Sequence, residues 1–215
     1  MKTAILFDLD GTLLNTLEDL TDATNAALAM FGYPPRTTEE VRRFVGNGAR
    51  HQIRMALPEG TDEATAEQVL AAYKPYYNSH CSAKTRLYDG IPAALEALKR
   101  EFVLAIVSNK PDPTAKALCA RWFPGITARG EAADCPRKPA PDMVRKTLAD
   151  LGADRCIYVG DSEVDVATAK NAGVPCLSVL WGFRTRQELA QAGATRFCPS
   201  PERLPDMLRA LASIL

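Results

Sequence analysis

The sequence predicts an α/β protein: an open parallel sheet whose first strand is separated from the others by an inserted, wholly helical unit. Three observations carry this. The chain opens on a short apolar run, "AILF"; residues 16–83 show only helical periodicity; and from Tyr88 onward short apolar runs alternate with helical patterns.

Ala4, Ile5, Leu6 and Phe7 read as a strand buried on both faces, as in the middle of a parallel sheet. It runs into "DLDGT". Side chains alternate along a strand, so Asp8 and Asp10 start on one side and Leu9 on the other. Two such charges repel by roughly 4 kcal/mol at ~4 Å and an effective dielectric of ~20, so the pair calls for a cation or a shared proton.

In "NTLEDLTDATNAALAMFGYPP", Leu17, Leu20, Ala27, Leu28 and Phe31 recur at helical spacing. Thr16 is expected to cap the start, and Gly32, Pro34 and Pro35 end the helix. "TTEEVRRFVG" holds Thr37 and Glu40 in capping-box register. "NGARHQIRMAL" stops at Pro58, and "TDEATAEQVLAAYKPYYNSH" sets Val69, Leu70, Tyr73 and Tyr77 on one face, with Pro75 expected to kink or break it. The expected division is a helical unit at 16–83 and an α/β core from 1–15 and 84–215.

In the core, "GIPAALEALKRE" reads as helix, "FVLAIVSNK" as strand, "PDPTAKALCARW" as helix and "GITARG" as a weaker strand. "PAPDMVRKTLADLG" then reads as helix, "RCIYVGD" as strand, "SEVDVATAKNAG" as helix and "VPCLSVLWG" as strand. Alternation of this kind implies right-handed crossovers covering both faces of a parallel sheet.

Lys plus Arg equals Asp plus Glu at 26 each, so nothing draws the chain to nucleic acid or to an anionic membrane surface. No long apolar run and no signal-type leader appear, and the expectation is a cytoplasmic protein. The six cysteines form no CxxC pair and the two histidines, His51 and His80, lie far apart, which argues against zinc and for reduced thiols. The sequence leaves monomer or homodimer open.

The expected strands end in polar residues: Asp8 and Asp10, then Ser108 and Asn109, then Asp161, with Asp165 in the first turn of the following helix. In open α/β sheets those ends share one crevice. Carboxylates gathered there are relieved by a hard divalent cation, Mg²⁺ above all, with Asp8, Asp10, Asp161 and Asp165 as candidate ligands. A cation beside backbone amides suits a phosphate: Gly11 lets the backbone approach, Thr12, Ser108 and Asn109 offer donors, and Lys138 in "CPRKPAPD" adds a positive charge.

"DLDGT", "SN", the lysine of "RKP" and "GDSEVD" resemble, in order, the four motifs of the haloacid dehalogenase superfamily of phosphatases. The resemblance implies a Rossmann-like core with an inserted C1-type helical cap. It also implies a Mg²⁺-dependent phosphomonoester hydrolase working through an aspartyl phosphate. Carried over by position, Asp8 is the nucleophile and Asp10 the acid/base. Ser108 and Lys138 bind the phosphoryl group, and Asp161 holds Mg²⁺ with Asp8 and the Asp10 carbonyl, with Asp165 beside or behind them. "FVGNGAR", "SNKP", "GDSEVD" and "WGFR" are similar to segments of the phosphoglycolate phosphatase family, although Asn15 stands where many relatives have Asp. That likeness implies a small phosphorylated metabolite as substrate, with Gly48 and Arg50 reading its far end. Other small-molecule phosphatases acting on nucleotides, sugar phosphates or pyrophosphate, and β-phosphoglucomutase, are the alternatives. A phospho-accepting receiver domain is the rival from another class, but it needs neither the helical insertion nor Asp10.

Overall fold

The computed structural model describes residues 2–215. The opening apolar run forms β1 (Thr3–Phe7), followed by β2 (Leu14–Asn15) and four helices: α1 (Leu17–Met30), α2 (Thr38–Phe44), α3 (Gly48–Ala56) and α4 (Glu63–His80). Next come β3 (Arg86–Leu87), α5 (Ile91–Leu98), β4 (Val103–Pro111), α6 (Asp112–Trp122), β5 (Thr127–Glu131) and α7 (Asp142–Leu151). The chain ends with β6 (Arg155–Gly160), α8 (Glu163–Ala172), β7 (Cys176–Val179), α9 (Arg186–Gln191), β8 (Phe197–Cys198) and α10 (Leu204–Ala212).

Six strands make one parallel sheet in the order β5-β4-β1-β6-β7-β8. β1 is central, and Ala4 to Phe7 are fully shielded from solvent, which explains why the run is apolar on both faces. On one face Ala4, Leu6, Ala105, Val107, Cys156 and Tyr158 pack with Met143 and Val144 of α7 and Ala169 of α8. Each Leu, Ile or Phe buried in this way contributes about 1.5–3 kcal/mol. Chain order reverses beside β1, between β4 and β6, so the crevice expected at a switch point opens at the carboxyl ends of these three strands.

By contact density the chain divides into two units, one up to Leu14 together with Leu87–Leu215, the other Asn15–Arg86. The helical unit extends beyond Ala83 because the buried Asp19 carboxylate accepts from the Lys84 and Thr85 N–H groups and from Thr85 Oγ1 at 2.7–2.9 Å. Inside it, Gln52 Nε2 donates to Thr24 Oγ1, joining α3 to α1, and the Thr37–Glu40 capping box forms as its spacing predicts.

One local expectation fails. Thr16 makes no capping bond through its side chain; Asn15 Oδ1 instead accepts from the Leu17 N–H, an Asx turn. Pro75 neither breaks nor ends α4, which runs unbroken from Glu63 to His80. Tyr73 and Tyr77 stack at 5.5 Å between ring centres and keep that face buried across the proline. Among the described residues no helix is long and apolar enough to cross a membrane, and all six thiols are free.

Candidate active site

Three strand ends and one loop build the site. The Asp8 N–H extends the β1 ladder by donating to Val159 O at 2.8 Å, which fixes its backbone at the carboxyl edge. The chain then folds back: the Leu13 and Leu14 N–H groups reach Leu9 O, and the Gly11 N–H reaches Leu14 O. Gly11 has φ +81°, and a Cβ there would collide with the Asp161 carboxylate. Where β4 leaves its register with β5, between Val107 and Pro111, the buried residues Ser108, Asn109 and Lys110 are set at the same edge.

Lys138 is the hub. Only 2% exposed, its Nζ lies 2.7 Å from Asp8 Oδ1 and 2.8 Å from Asp165 Oδ1. Asn109 holds this loop by its backbone, donating from Nδ2 to Lys138 O and accepting the Lys138 N–H on Oδ1. Asp165 also accepts from Tyr158 Oη and, on Oδ2, from the N–H and hydroxyl of Ser162. Asp161 accepts from Thr12 Oγ1 at 3.0 Å and from the Phe183 N–H at 2.7 Å. Behind the last bond, Gly182 approaches so closely that a Cβ would strike Asp161. Trp181 Nε1 donates to Thr12 O, and Arg184 forms a two-bond pair with Glu163, so the loop after β7 is tied both to the Asp8 loop and to α8.

Burial drives the electrostatics. It pushes Asp8 well above the ordinary carboxylate range, and the Asp165 charge adds to this against the pull of Lys138. Asp161 is pushed up to about 7 by burial and then by Asp165. Burial works against the Lys138 ammonium, yet Asp165 and Asp8 outweigh it and hold its pKa well above the usual lysine value. Carboxylate oxygens of Asp8, Asp161 and Asp165 lie within 4.8 Å of one another. With Asp10 beside them, these acids outnumber the ammonium groups that pair with them, Lys138 and Lys110, an excess that a divalent cation offsets. The donors are hard oxygens, which suits a hard cation and not zinc.

All the sequence-predicted residues except Gly48 and Arg50 belong to the unit that holds the sheet. Asp8, Asp161, Asp165 and Lys138 converge, with Gly11 and Thr12 against Asp161 and Ser108, whose Oγ accepts the Lys110 N–H, at the end of β4. Asp10 lies beside them, its Oδ2 2.8 Å from Lys110 Nζ. Two expected substrate donors bond within the site itself, Thr12 to Asp161 and Asn109 to the Lys138 backbone. Gly48 opens α3 in the helical unit with φ +82°, and two residues on the half-exposed Arg50 is bound by Glu63 and Glu67.

Residues 5–179 match the haloacid dehalogenase-like hydrolase family. The chain belongs to the haloacid dehalogenase-like hydrolases. Phosphoglycolate phosphatase 1 of Pseudomonas aeruginosa is 35% identical over 89% of this chain and 74% of its own. N-acetylmuramic acid 6-phosphate phosphatase of the same organism is 33% identical over 95% and 94%. A solved structure from Lactobacillus delbrueckii subsp. bulgaricus, provisionally named a phosphoglycolate phosphatase, superposes with a TM-score of 0.90 at 34% identity, over 95% of this chain and 97% of that one. Within the haloacid dehalogenase-like hydrolases the chain is a phosphatase.

Sequence reasoning missed four participants in this hydrolase's site. Lys110 follows Asn109 directly in "SNKP", but a lysine near a strand end usually points to solvent. Tyr158 is hidden in an apolar run, where a tyrosine reads as core. Gly182 and the Phe183 N–H lie in "WGFR", and a backbone donor leaves no mark in the sequence.

Proposed function

We propose that the chain is a Mg²⁺-dependent phosphomonoester hydrolase that carries the phosphoryl group on Asp8 and takes 2-phosphoglycolate as substrate. The observation that carries this is the buried Lys138 bridging Asp8 and Asp165, with a second carboxylate, Asp10, two residues along the chain. An Asp8 oxygen bonds to phosphorus as the bond from phosphorus to the ester oxygen breaks, and Asp10 gives that oxygen its proton. Water then attacks phosphorus, Asp10 takes the water's proton, and phosphate leaves Asp8. Lys138 and the Ser108 hydroxyl hold the phosphoryl oxygens. Asp8, Asp161 and the Asp10 carbonyl would hold Mg²⁺, with Asp165, already serving four donors, behind them. When bound, the ion supplies charge neutralisation for the phosphoryl group. In this reading the helical unit is the cap.

The phosphoglycolate phosphatase relatives support the substrate. A second reading, N-acetylmuramic acid 6-phosphate, is favoured by the relative that matches over nearly its whole length. A panel of 2-phosphoglycolate, N-acetylmuramic acid 6-phosphate, glucose 6-phosphate and a nucleoside monophosphate, each with Mg²⁺ and with chelator, separates them. We expect the highest kcat/KM on 2-phosphoglycolate and loss of turnover on chelation. A preference for another ester overturns the substrate, and full turnover of the metal-stripped protein overturns the mechanism.

A further inference from the structure

Lys110 is a second buried ammonium in the crevice, and it differs from Lys138 in what it faces. Lys138 meets Asp8 and Asp165, on the side where the phosphoryl group is transferred. Lys110 meets Asp10, on the side of the leaving oxygen; its side chain is 6% exposed, and that of Asp10 14%. A group that protonates the leaving oxygen must come within hydrogen-bond reach of it. In 2-phosphoglycolate one methylene separates that oxygen from the carboxyl carbon, so with bonds of about 1.5 Å a carboxylate oxygen lies only about 3–4 Å from the leaving oxygen. The carboxylate is thus delivered beside Asp10, where Lys110 Nζ lies. An ammonium has three donors and can serve Asp10 and a substrate carboxylate at once. Arg50 is the weaker candidate for this task, since Glu63 and Glu67 of its own unit hold its guanidinium.

We propose that Lys110 reads the substrate's carboxylate and so selects small phosphate esters with an anion next to the leaving oxygen. This rests on the phosphoglycolate reading above. The test compares kcat/KM for 2-phosphoglycolate and for ethyl phosphate, which has no carboxylate, in the parent, Lys110→Met and Lys110→Arg. The parent should prefer 2-phosphoglycolate. Lys110→Met should lose about 10- to 100-fold on it, chiefly through KM, the cost of one charge-assisted hydrogen bond. Both esters lose whatever Asp10 loses with its ion pair, so the loss on ethyl phosphate should be the smaller one, the preference ratio should fall, and Lys110→Arg should restore part of it. Glycolate, added as an inhibitor of ethyl phosphate hydrolysis, should bind the parent more tightly than Lys110→Met. If the methionine variant does not fold, Lys110→Gln carries the same comparison. An unchanged ratio, or equal losses on both esters, overturns the assignment while leaving the phosphoglycolate reading intact. A parent without the preference overturns that reading itself, before any variant is made.

Discussion

Asp161 is held by a hydroxyl, a backbone N–H and two glycines whose missing side chains make room for it. Such partners orient a ligand without touching the metal. Gly182→Ala should therefore displace the carboxylate and raise the Mg²⁺ concentration needed for half-maximal activity by about 10- to 100-fold, with little change in kcat at saturating metal. A metal titration like the parent's would remove Gly182 from the site. The same residues mark where the sequence becomes silent. Asp8, Asp10, Asp161 and Lys138 were legible because a charge at the end of an apolar strand is costly and needs a reason. Asn109 was legible as a polar strand end, but its use was not: whether an amide meets substrate or braces a loop is decided by Lys138, 29 residues away.

Periodicity located the helices and the strands of "FVLAIVSNK" and "RCIYVGD" because both signals are local. It left open whether Pro75 kinks or breaks α4, and the helix is unbroken, since the cost of a proline inside a helix competes with tertiary burial that no window of sequence contains. Pro75 itself is exposed, between the buried Tyr73 and Tyr77. Pro75→Ala returns an N–H to the helix ladder and removes a ring clash, so the protein should gain about 1–3 kcal/mol in urea unfolding. A loss of stability would mean that the proline ring itself packs usefully. At the start of α1 Thr16 holds the cap position, but Asn15 supplies the oxygen, because Asn and Thr both offer a suitable acceptor and only the turn geometry selects between them.

Over the whole molecule, the buried acids make stability depend on pH in an unusual direction. Asp161 titrates near 7 when folded, against about 4 when unfolded, and Asp8 is also held high. Between about pH 4 and 7 the folded state therefore binds more protons, so metal-free protein should lose stability as pH rises through that window. Acids held low, such as Glu39 beside Arg42, act in the opposite sense only below about pH 4.5. Mg²⁺ competes with the protons, so its stabilising shift in Tm should be larger at pH 7.5 than at pH 5.5. Equal shifts at the two values would mean that the ion binds away from these carboxylates. The topology needed for this arrangement was readable as alternating strand and helix, whereas the sixth strand, β8, is only two residues long and gives no periodic signal.

The central claim is that Asp8 carries the phosphoryl group, and trapping it is the most direct measurement. Asp10→Asn removes the group that activates water but leaves the nucleophile, so with an activated aryl phosphate and Mg²⁺ the phosphoenzyme should accumulate. Quenched in acid, reduced with borohydride and mapped by mass spectrometry, the protein should carry the modification at Asp8. Modification at any other residue, or a burst of released phenol with no phosphoprotein, would contradict the account.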